Sequence, residues 1–94
     1  FRSANDYFAR YGGEEFVLIL SGAPQKNAEE VAERIRSTVE QNDFQFEGKR
    51  IPVTVSLGLA TRKDEVLWEV LFERADKALY QSKQTGRNRV TIAS

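Results

Sequence analysis

The residues best suited to chemistry are two adjacent carboxylates, Glu14 and Glu15, which directly follow the glycine pair Gly12 and Gly13. Neighbouring carboxylates repel each other, so a purely structural purpose for the pair is hard to find. A hard cation such as Mg²⁺ commonly binds one or two carboxylates together with substrate phosphates. Such an ion can neutralise the charge that develops on a transferring phosphoryl group. The alternative is a solvated acidic turn, which the spacing alone favours.

Two cations near the other end of the chain could complete a phosphate site. Lys83 and Arg87 lie four residues apart near the end of a predicted helix, so both side chains can lie on one side. Arginine would hold a polyphosphate through its planar fork, and lysine as a point charge. The alternative is that both cations complement the negative end of the helix dipole. The residues themselves therefore indicate a metal-assisted phosphate site and leave both alternatives open.

The composition excludes several other kinds of chemistry. The 94 residues include 14 basic and 14 acidic side chains, so the formal net charge is zero and gives no general attraction to nucleic acid or anionic membranes. The chain has no Cys and no His, which excludes a thiolate nucleophile, an imidazole base and an ordinary zinc site. No signal-peptide pattern or membrane-spanning apolar run is evident. We expect one soluble domain, or part of one.

The glycine pair lies between two segments with strand-like composition. Residues 6–10 are short and aromatic, and residues 16–20 are apolar at every position. We expect a tight hairpin in which the glycines of segment 11–15 reach positive φ. Because its apolar residues do not alternate with polar ones, the second strand is predicted to be covered on both faces.

Two amphipathic helices are predicted, over residues 27–41 and 67–84. Asn27 is the expected N-cap of the first helix, with two glutamates in its first turn, and Gly86 is the expected C-terminal cap of the second. The predicted buried residues are Ala28, Val31, Ala32, Ile35 and Val39 in the first helix and Leu67, Leu71, Ala75, Ala78 and Leu79 in the second. Trp68 and Tyr80 are predicted to pack within the fold.

The remaining segments complete a mixed fold. Residues 42–50 could form a short extra strand turning at Gly48 and Lys49, residues 51–61 alternate as a strand, and residues 89–93 form a last strand. Gly58, inside a strand, suggests a bulge or a close backbone approach. Without the extra strand the order is ββαβαβ, which predicts an α+β layer with helices covering an antiparallel or mixed sheet.

Four segments form an ordered set of motifs. Residues 10–16 read RYGGEEF, residues 53–60 read VTVSLGLA, residues 75–83 read ADKALYQSK, and residues 86–90 read GRNRV. In order and spacing these segments resemble the GGDEF family, the bacterial diguanylate cyclases, whose signature loop also occurs as GGEEF in active members. The resemblance covers nearly the whole chain, so it is far more specific than a glycine pair alone.

This resemblance implies a palm-like fold of the nucleotidyl cyclase or ferredoxin-like type and the condensation of two GTP molecules into cyclic di-GMP with release of pyrophosphate. The implied cofactor is Mg²⁺ or Mn²⁺. The implied partners are GTP, a second GGDEF subunit in a catalytic homodimer, and an attached sensory or receiver domain. No contact with nucleic acid or membrane is expected. The need for GTP implies a cytoplasmic location.

The motif matches also imply a role for individual residues. Gly12 and Gly13 would let the backbone approach the nucleotide. Glu14 would assist the attacking 3′-hydroxyl and lie near the metals, while Glu15 would be a metal ligand. Lys83 and Arg87 would hold the triphosphate, which suits phosphoryl transfer without histidine.

The resemblance has two departures. The chain matches only the C-terminal part of the family's domain, so residues 1–94 lack the first strand with its metal-binding Asp and the helix that reads guanine. The family's product-inhibition site is RxxD. Asp6 occupies its last position, but Ser3 stands where the family has Arg, and Arg2 is one residue out of register. We expect this site to be a remnant that binds product weakly.

Two other functions compete with the cyclase. One is a non-catalytic GGDEF-type module that binds nucleotide or serves regulation, and the other is a plain α+β interaction domain without a nucleotide site. Intact motif residues favour the enzyme. An Asp-bearing first strand and guanine-reading residues upstream would favour it further, whereas their loss would favour the module. The 94 residues alone are expected to be inactive.

The resemblance also makes a prediction about the sheet. In the family, the missing first strand lies between strands that this chain retains. Its removal would leave unpaired backbone groups beside residues 16–20, which is unfavourable in water. We expect one of three arrangements: the upstream half supplies the strand, another copy supplies it, or the retained strands pair with each other.

Overall fold

The computed structural model describes residues 6–20, 24–62 and 67–93. Its elements in chain order are β1 (Tyr7–Gly12), β2 (Glu15–Leu20), α1 (Gln25–Gln41), β3 (Gln45–Phe46), β4 (Lys49–Arg50), β5 (Ser56–Thr61), α2 (Trp68–Gln84) and β6 (Val90–Ile92). The predicted α+β class and the order ββαβαβ are confirmed. The uncertain segment between α1 and β5 forms a small separate hairpin, β3–β4, which turns at Glu47 and Gly48, both with positive φ.

The main sheet has four strands in the order β1-β2-β5-β6. Strands β1 and β2 are antiparallel, whereas β2–β5 and β5–β6 are parallel pairs. The direct pairing of β2 with β5, from Glu15 opposite Ser56 to Leu20 opposite Thr61, is the third of the three expected arrangements. The apolar strand β2 is therefore an interior strand in this chain.

The sheet is covered on both faces, as the apolar pattern of β2 predicts. Val17 and Ile19 face helix α2, whereas Leu18 and Leu20 face helix α1. All four side chains are buried. The side chains that form the α2 side of the core are Leu71, Ala75, Ala78 and Leu79. Leu67 is the exception among the predicted core residues of this helix, since it precedes the first turn and is exposed.

Gly58 marks a close approach, one of the two readings its position in a strand suggested. It lies in the middle of β5, opposite Val17, at a point where the backbone of α2 crosses the sheet. A Cβ atom at this position would overlap the carbonyl oxygen of Ala75 and the backbone nitrogen of Leu79. Only glycine allows the helix to pack this closely, and α2 carries one of the candidate phosphate-binding residues.

Three local expectations are wrong. Residues 51–55 are not part of β5, because the partner strand β2 begins only at Glu15 and offers no backbone groups to earlier residues. Asn27 lies inside α1, which begins at Gln25 after Pro24 and has no side-chain cap, and the first turn contains no acidic residue. The segment that breaks the chain before Pro24, residues 21–23, lies outside the described residues.

The end of α2 follows the expected pattern. Gly86 has a φ of 129°, and the amide of Arg87 donates to the carbonyl of Ser82 at 2.8 Å. This six-to-one hydrogen bond across a glycine is the usual way in which a helix satisfies its last carbonyls. In the described part of the chain, neither helix is long and apolar enough to span a bilayer.

Candidate active site at the GGEEF hairpin

The hairpin between β1 and β2 turns at Gly13 and Glu14. Contrary to the sequence expectation, neither Gly12 nor Gly13 has a positive φ. The pairing instead shifts by one residue between Arg10 and Gly12, which is a β-bulge. Arg10 lies over the turn and donates to the carbonyls of Gly12 at 2.9 Å and Gly13 at 3.3 Å. These bonds fix the turn that presents the two glutamates.

Gly12 gives space to the Glu15 carboxylate. A Cβ atom at Gly12 would lie 3.2 Å from Oε1 and 3.3 Å from Cδ of Glu15, closer than most side-chain contacts. At Gly13, by contrast, an added Cβ would have no neighbour within 4 Å. The first glycine therefore clears a position for the carboxylate, and the second leaves the turn open to approach from outside.

Glu15 lies between the two cations that the sequence singled out. Lys83 Nζ is 3.2 Å from Glu15 Oε1, and Arg87 Nη1 is 3.5 Å from Glu15 Oε2. The Glu15 side chain is 25% exposed, so it is accessible from solvent. We call these three residues the Glu15 triad. Its formal charge of +1 suits an anionic ligand such as a polyphosphate.

Glu14 occupies a different position. It lies in the turn, where it is exposed, and its backbone carbonyl accepts a hydrogen bond from the amide of Ser56 at 2.8 Å. The backbone of Glu14 thus joins the turn to the first residue of β5, while its carboxylate is open to solvent. The two adjacent glutamates have different surroundings, so the structure separates them without bringing Glu14 into the triad.

The two cations are positioned by the end of α2. Ser82 is fully buried, donates to the carbonyl of Leu57 at 2.8 Å and shares a 2.6 Å hydrogen bond with Thr91. Ser82 therefore fixes the last turn of α2 to β5 and β6. Lys83 directly follows Ser82 in sequence, and the backbone amide of Arg87 donates to the carbonyl of Ser82. Ser82 therefore determines the position of both cations relative to the sheet.

A second set of contacts joins α2 to the hairpin on the approach to the triad. The ring of Tyr7 packs edge-on against Phe72, with centroids 4.7 Å apart, and lies 6.4 Å from the ring of Trp68. Farther along β1, the Tyr11 hydroxyl donates a hydrogen bond to the Asp76 carboxylate. Tyr7, Tyr11 and Glu15 thus contact positions progressively farther along α2, which orients the GGEEF turn against the helix.

The hydrogen bond between Tyr11 and Asp76 predicts that the stability of the fold depends on pH. Partial burial, followed by the hydrogen bond to Asp76, raises the pKa of Tyr11 from 10.0 to about 12. A raised pKa means that folding favours the neutral phenol. The contribution of Tyr11 to the free energy of unfolding is therefore complete below pH 10 and is lost as the pH rises through 12. Because Tyr11 is half-exposed, we expect this contribution to the free energy of unfolding to be only about 1 kcal/mol. Urea unfolding between pH 9 and pH 12 should show this fall in the protein and a smaller one in Tyr11→Phe. Equal falls in both would contradict the bond.

The donor set at the turn fits a hard divalent cation only in part. Glu15 offers two carboxylate oxygens beside two cations that could hold the phosphates of a nucleotide, which is the usual composition of a magnesium–nucleotide site. Within residues 6–20, 24–62 and 67–93, however, no three acidic side chains cluster to enclose an ion. Ligands in addition to Glu15 would have to come from the substrate or from another part of the protein.

Other predicted positions lie away from the triad. Asp6 is half-buried just before β1, whereas Arg2 and Ser3 of the expected inhibitory site lie outside the described residues. Trp68 contacts the ring of Phe72 but is 36% exposed, so the packing predicted for it is confirmed only in part. Tyr80 is 61% exposed, so the packing predicted for it is wrong.

Sequence reasoning also missed three residues that organise the site. Tyr11 and Asp76 are 65 positions apart, so no local pattern could connect them. Asn88 belongs to the GRNRV motif but has no role there by sequence alone, yet it has a positive φ and its side chain bonds to α1. An asparagine two residues after a helix-ending glycine is itself a signal, because asparagine tolerates the left-handed region.

Comparisons with known proteins identify the family of this chain. A protein-family model described as "Diguanylate cyclase, GGDEF domain" matches residues 1–89. Diguanylate cyclase A of Treponema denticola is 49% identical over 89 residues, which are 94% of this chain and 24% of that protein. Diguanylate cyclase DosC of Escherichia coli is 40% identical over 90 residues, or 95% of this chain and 20% of that protein.

Two solved structures share the fold. The GGDEF domain of DgcB from Caulobacter crescentus, solved in complex with c-di-GMP, has a TM-score of 0.77 and 36% identity, covering 97% of this chain and 55% of that one. The active GGEEF domain of a diguanylate cyclase from Vibrio cholerae has a TM-score of 0.71 and 28% identity, covering 96% and 57%. The chain thus spans little more than half of these solved chains and at most a quarter of the two relatives named above. It belongs to the GGDEF family, whose domain is that of the diguanylate cyclases.

Proposed function

We propose that this chain is the C-terminal portion of a GGDEF domain that condenses two GTP molecules into cyclic di-GMP. The 3′-hydroxyl of each GTP would attack the α-phosphate of the other, forming two phosphodiester bonds and releasing two pyrophosphates. The observation that carries this proposal is the convergence of Glu15 with Lys83 and Arg87 across 68 or more residues of sequence. A carboxylate and two cations at one point are the groups that a magnesium–triphosphate requires.

Each residue has a distinct role in this proposal. Lys83 and Arg87 bind the triphosphate, and Gly12 and Gly13 give the nucleotide access to the backbone of the turn. Glu15 would be the metal ligand, while Glu14, which is exposed in the turn, would assist the 3′-hydroxyl by accepting its proton and would lie near the metals. Bound Mg²⁺ or Mn²⁺ would act as a Lewis acid on the phosphates.

The reaction needs two nucleotides, so the proposed partner is a second GGDEF subunit that presents the other GTP. An attached sensory or receiver domain would control this pairing, and the need for GTP would keep the domain in the cytoplasm. The coverage of 55% and 57% of the two solved chains supports a domain that is longer than this chain, and we propose that the remaining ligands and the guanine-reading groups lie upstream.

The test is conversion of GTP to cyclic di-GMP. The full-length protein with Mg²⁺ should form product, with a rate per subunit that rises with protein concentration because catalysis needs two subunits. Tight GTP binding without any product would instead support a non-catalytic module. No binding of GTP at all would leave only the interaction domain.

The 94 residues alone should form no cyclic di-GMP under the same conditions. They offer Glu15 and Glu14 as acidic ligands, and no acidic cluster able to enclose an ion occurs in the described part of the chain. A product-formation assay on the purified 94-residue chain, with the full-length protein as the positive control, measures this directly. Turnover by the short chain would show that the upstream half is dispensable.

A further inference from the structure

Arg87 and the residue after it have an unusual backbone conformation. Arg87 has a φ of 62° and Asn88 a φ of 46°, both in the left-handed region that residues with a Cβ rarely adopt. The helix end does not require them, because Gly86 already supplies the left-handed residue of the cap. Two further left-handed residues persist only when surrounding contacts hold them in place.

Those contacts come from Asn88. Its Nδ2 donates to Glu40 Oε2 at 2.5 Å, and its Oδ1 accepts from Arg36 Nη1 at 3.0 Å. Its backbone amide donates to the hydroxyl of Ser56 at 3.1 Å. Both side-chain bonds run to helix α1 and the backbone bond runs to strand β5, so Asn88 is fixed from two elements that are distant in sequence.

The partners on α1 are themselves held in position. The Arg36 side chain is 17% exposed, and its guanidinium also bonds to Glu40 Oε1 at 3.1 Å and to both carboxylate oxygens of Glu33. The bond from Asn88, followed by that from Arg36, lowers the pKa of Glu40. We call Arg36, Glu40 and Asn88 the α1 clamp.

A single peptide bond joins the clamp to the triad. Arg87 precedes Asn88 directly, and its Nη1 lies 3.5 Å from Glu15 Oε2. With Asn88 fixed to α1 on one side and the amide of Arg87 fixed to Ser82 on the other, the backbone of Arg87 is held at both ends. A change in the clamp would therefore redirect the Arg87 side chain, although none of the three clamp residues belongs to the triad.

We propose that Asn88 and Arg36 are positioning residues that hold Arg87 at the phosphate site. This inference rests on the proposed role of Arg87 as a triphosphate ligand. Helix α1 covers the face of the sheet opposite to α2. Through these two residues it would nevertheless contribute to substrate binding. Neither residue is proposed to touch the substrate.

Pyrophosphate binding with Mg²⁺, measured by calorimetry on the full-length protein, tests the proposal. Asn88→Gly removes both side-chain bonds but keeps a residue that accepts positive φ, so folding should be retained. We expect affinity to fall on the order of tenfold, as for loss of a charge-assisted contact. Arg36→Ala should have a similar effect. Lys77→Ala, which breaks an exposed ion pair with Glu73 on α2, is the matched control and should bind normally.

The decisive comparison is the double variant. If Asn88 acts through Arg87, then Asn88→Gly should cost almost nothing further in an Arg87→Ala background. Additive losses, or normal binding by Asn88→Gly, would overturn the clamp even if Arg87→Ala alone weakens binding. Normal binding by Arg87→Ala would remove the proposed phosphate role and the clamp with it. Should Asn88→Gly fail to fold, Asn88→Asp serves instead, since it tolerates positive φ, can still accept from Arg36 and is repelled by Glu40.

Discussion

Replacing Glu15 with glutamine in the full-length protein should reduce cyclic di-GMP formation by about 10³-fold or more, the scale seen when a group that stabilises transition-state charge is lost. The substitution keeps the size and shape of the side chain but removes the negative charge that a divalent cation requires. The fold should survive, because the two cations with which Glu15 pairs are partly exposed and such ion pairs contribute about 0–1 kcal/mol.

The matched control for this variant is Glu73→Gln. Glu73 also pairs with a lysine, Lys77 at 3.2 Å, but on the exposed surface of α2. Its loss should leave product formation unchanged. Steady-state turnover of both variants, with thermal unfolding to confirm folding, separates a specific role of Glu15 from a general effect of lost charge. Product formation by Glu15→Gln within a few-fold of the unmodified protein would contradict the assigned role.

The largest stability effect should come from Gly58→Ala. The added methyl group would overlap the backbone of α2 at Ala75 and Leu79 and would lie 2.9 Å from the Leu79 Cα atom. Backbone atoms in a packed helix cannot move aside as a flexible side chain can, so α2 would have to separate from the sheet. We expect a loss of at least about 3 kcal/mol, a large share of the stability of a small domain.

Urea unfolding of Gly58→Ala beside Gly13→Ala measures this effect. A Cβ atom at Gly13 would have no neighbour within 4 Å, and the φ of Gly13 is not positive. Substitution of Gly13 should therefore change the unfolding free energy by less than about 0.5 kcal/mol. A loss below about 1 kcal/mol for Gly58→Ala would mean that α2 does not approach β5 as closely as described.

The elements of the fold were predictable because the apolar patterns are strong. The uninterrupted apolar run of β2 indicated a strand covered on both faces, and the small and apolar stripe of α2 indicated the face that packs on it. Gly58 was informative for the same reason, since a glycine in a buried strand has few other purposes. The boundaries were less predictable: β5 begins at Ser56 because β2 begins at Glu15, which is a property of the pairing and not of residues 51–55.

The candidate site was only half predictable. The chemistry of Glu15, Lys83 and Arg87 suggested metal and phosphate binding, but their convergence depends on how α2 crosses the sheet. The hydrogen bonds between Asn88 and α1 join residues that are 48 and 52 positions apart, so the periodicity of apolar residues in the sequence does not predict them. The positive φ expected at the glycine pair was wrong because the hairpin bulge, and not left-handed glycine, accommodates the turn.

The measurement that tests the central claim most directly is pyrophosphate binding to Glu15→Gln and to the unmodified protein, with and without Mg²⁺. In the unmodified protein the Glu15 carboxylate is paired with both Lys83 and Arg87 and lowers the net charge of the three groups to +1, so phosphate competes with this carboxylate for the two cations. Without metal, Glu15→Gln should therefore bind pyrophosphate more tightly than the unmodified protein. With Mg²⁺ the order should reverse, because only the carboxylate can also bind the ion. Equal affinities under both conditions would contradict a shared site for metal and triphosphate at the Glu15 triad.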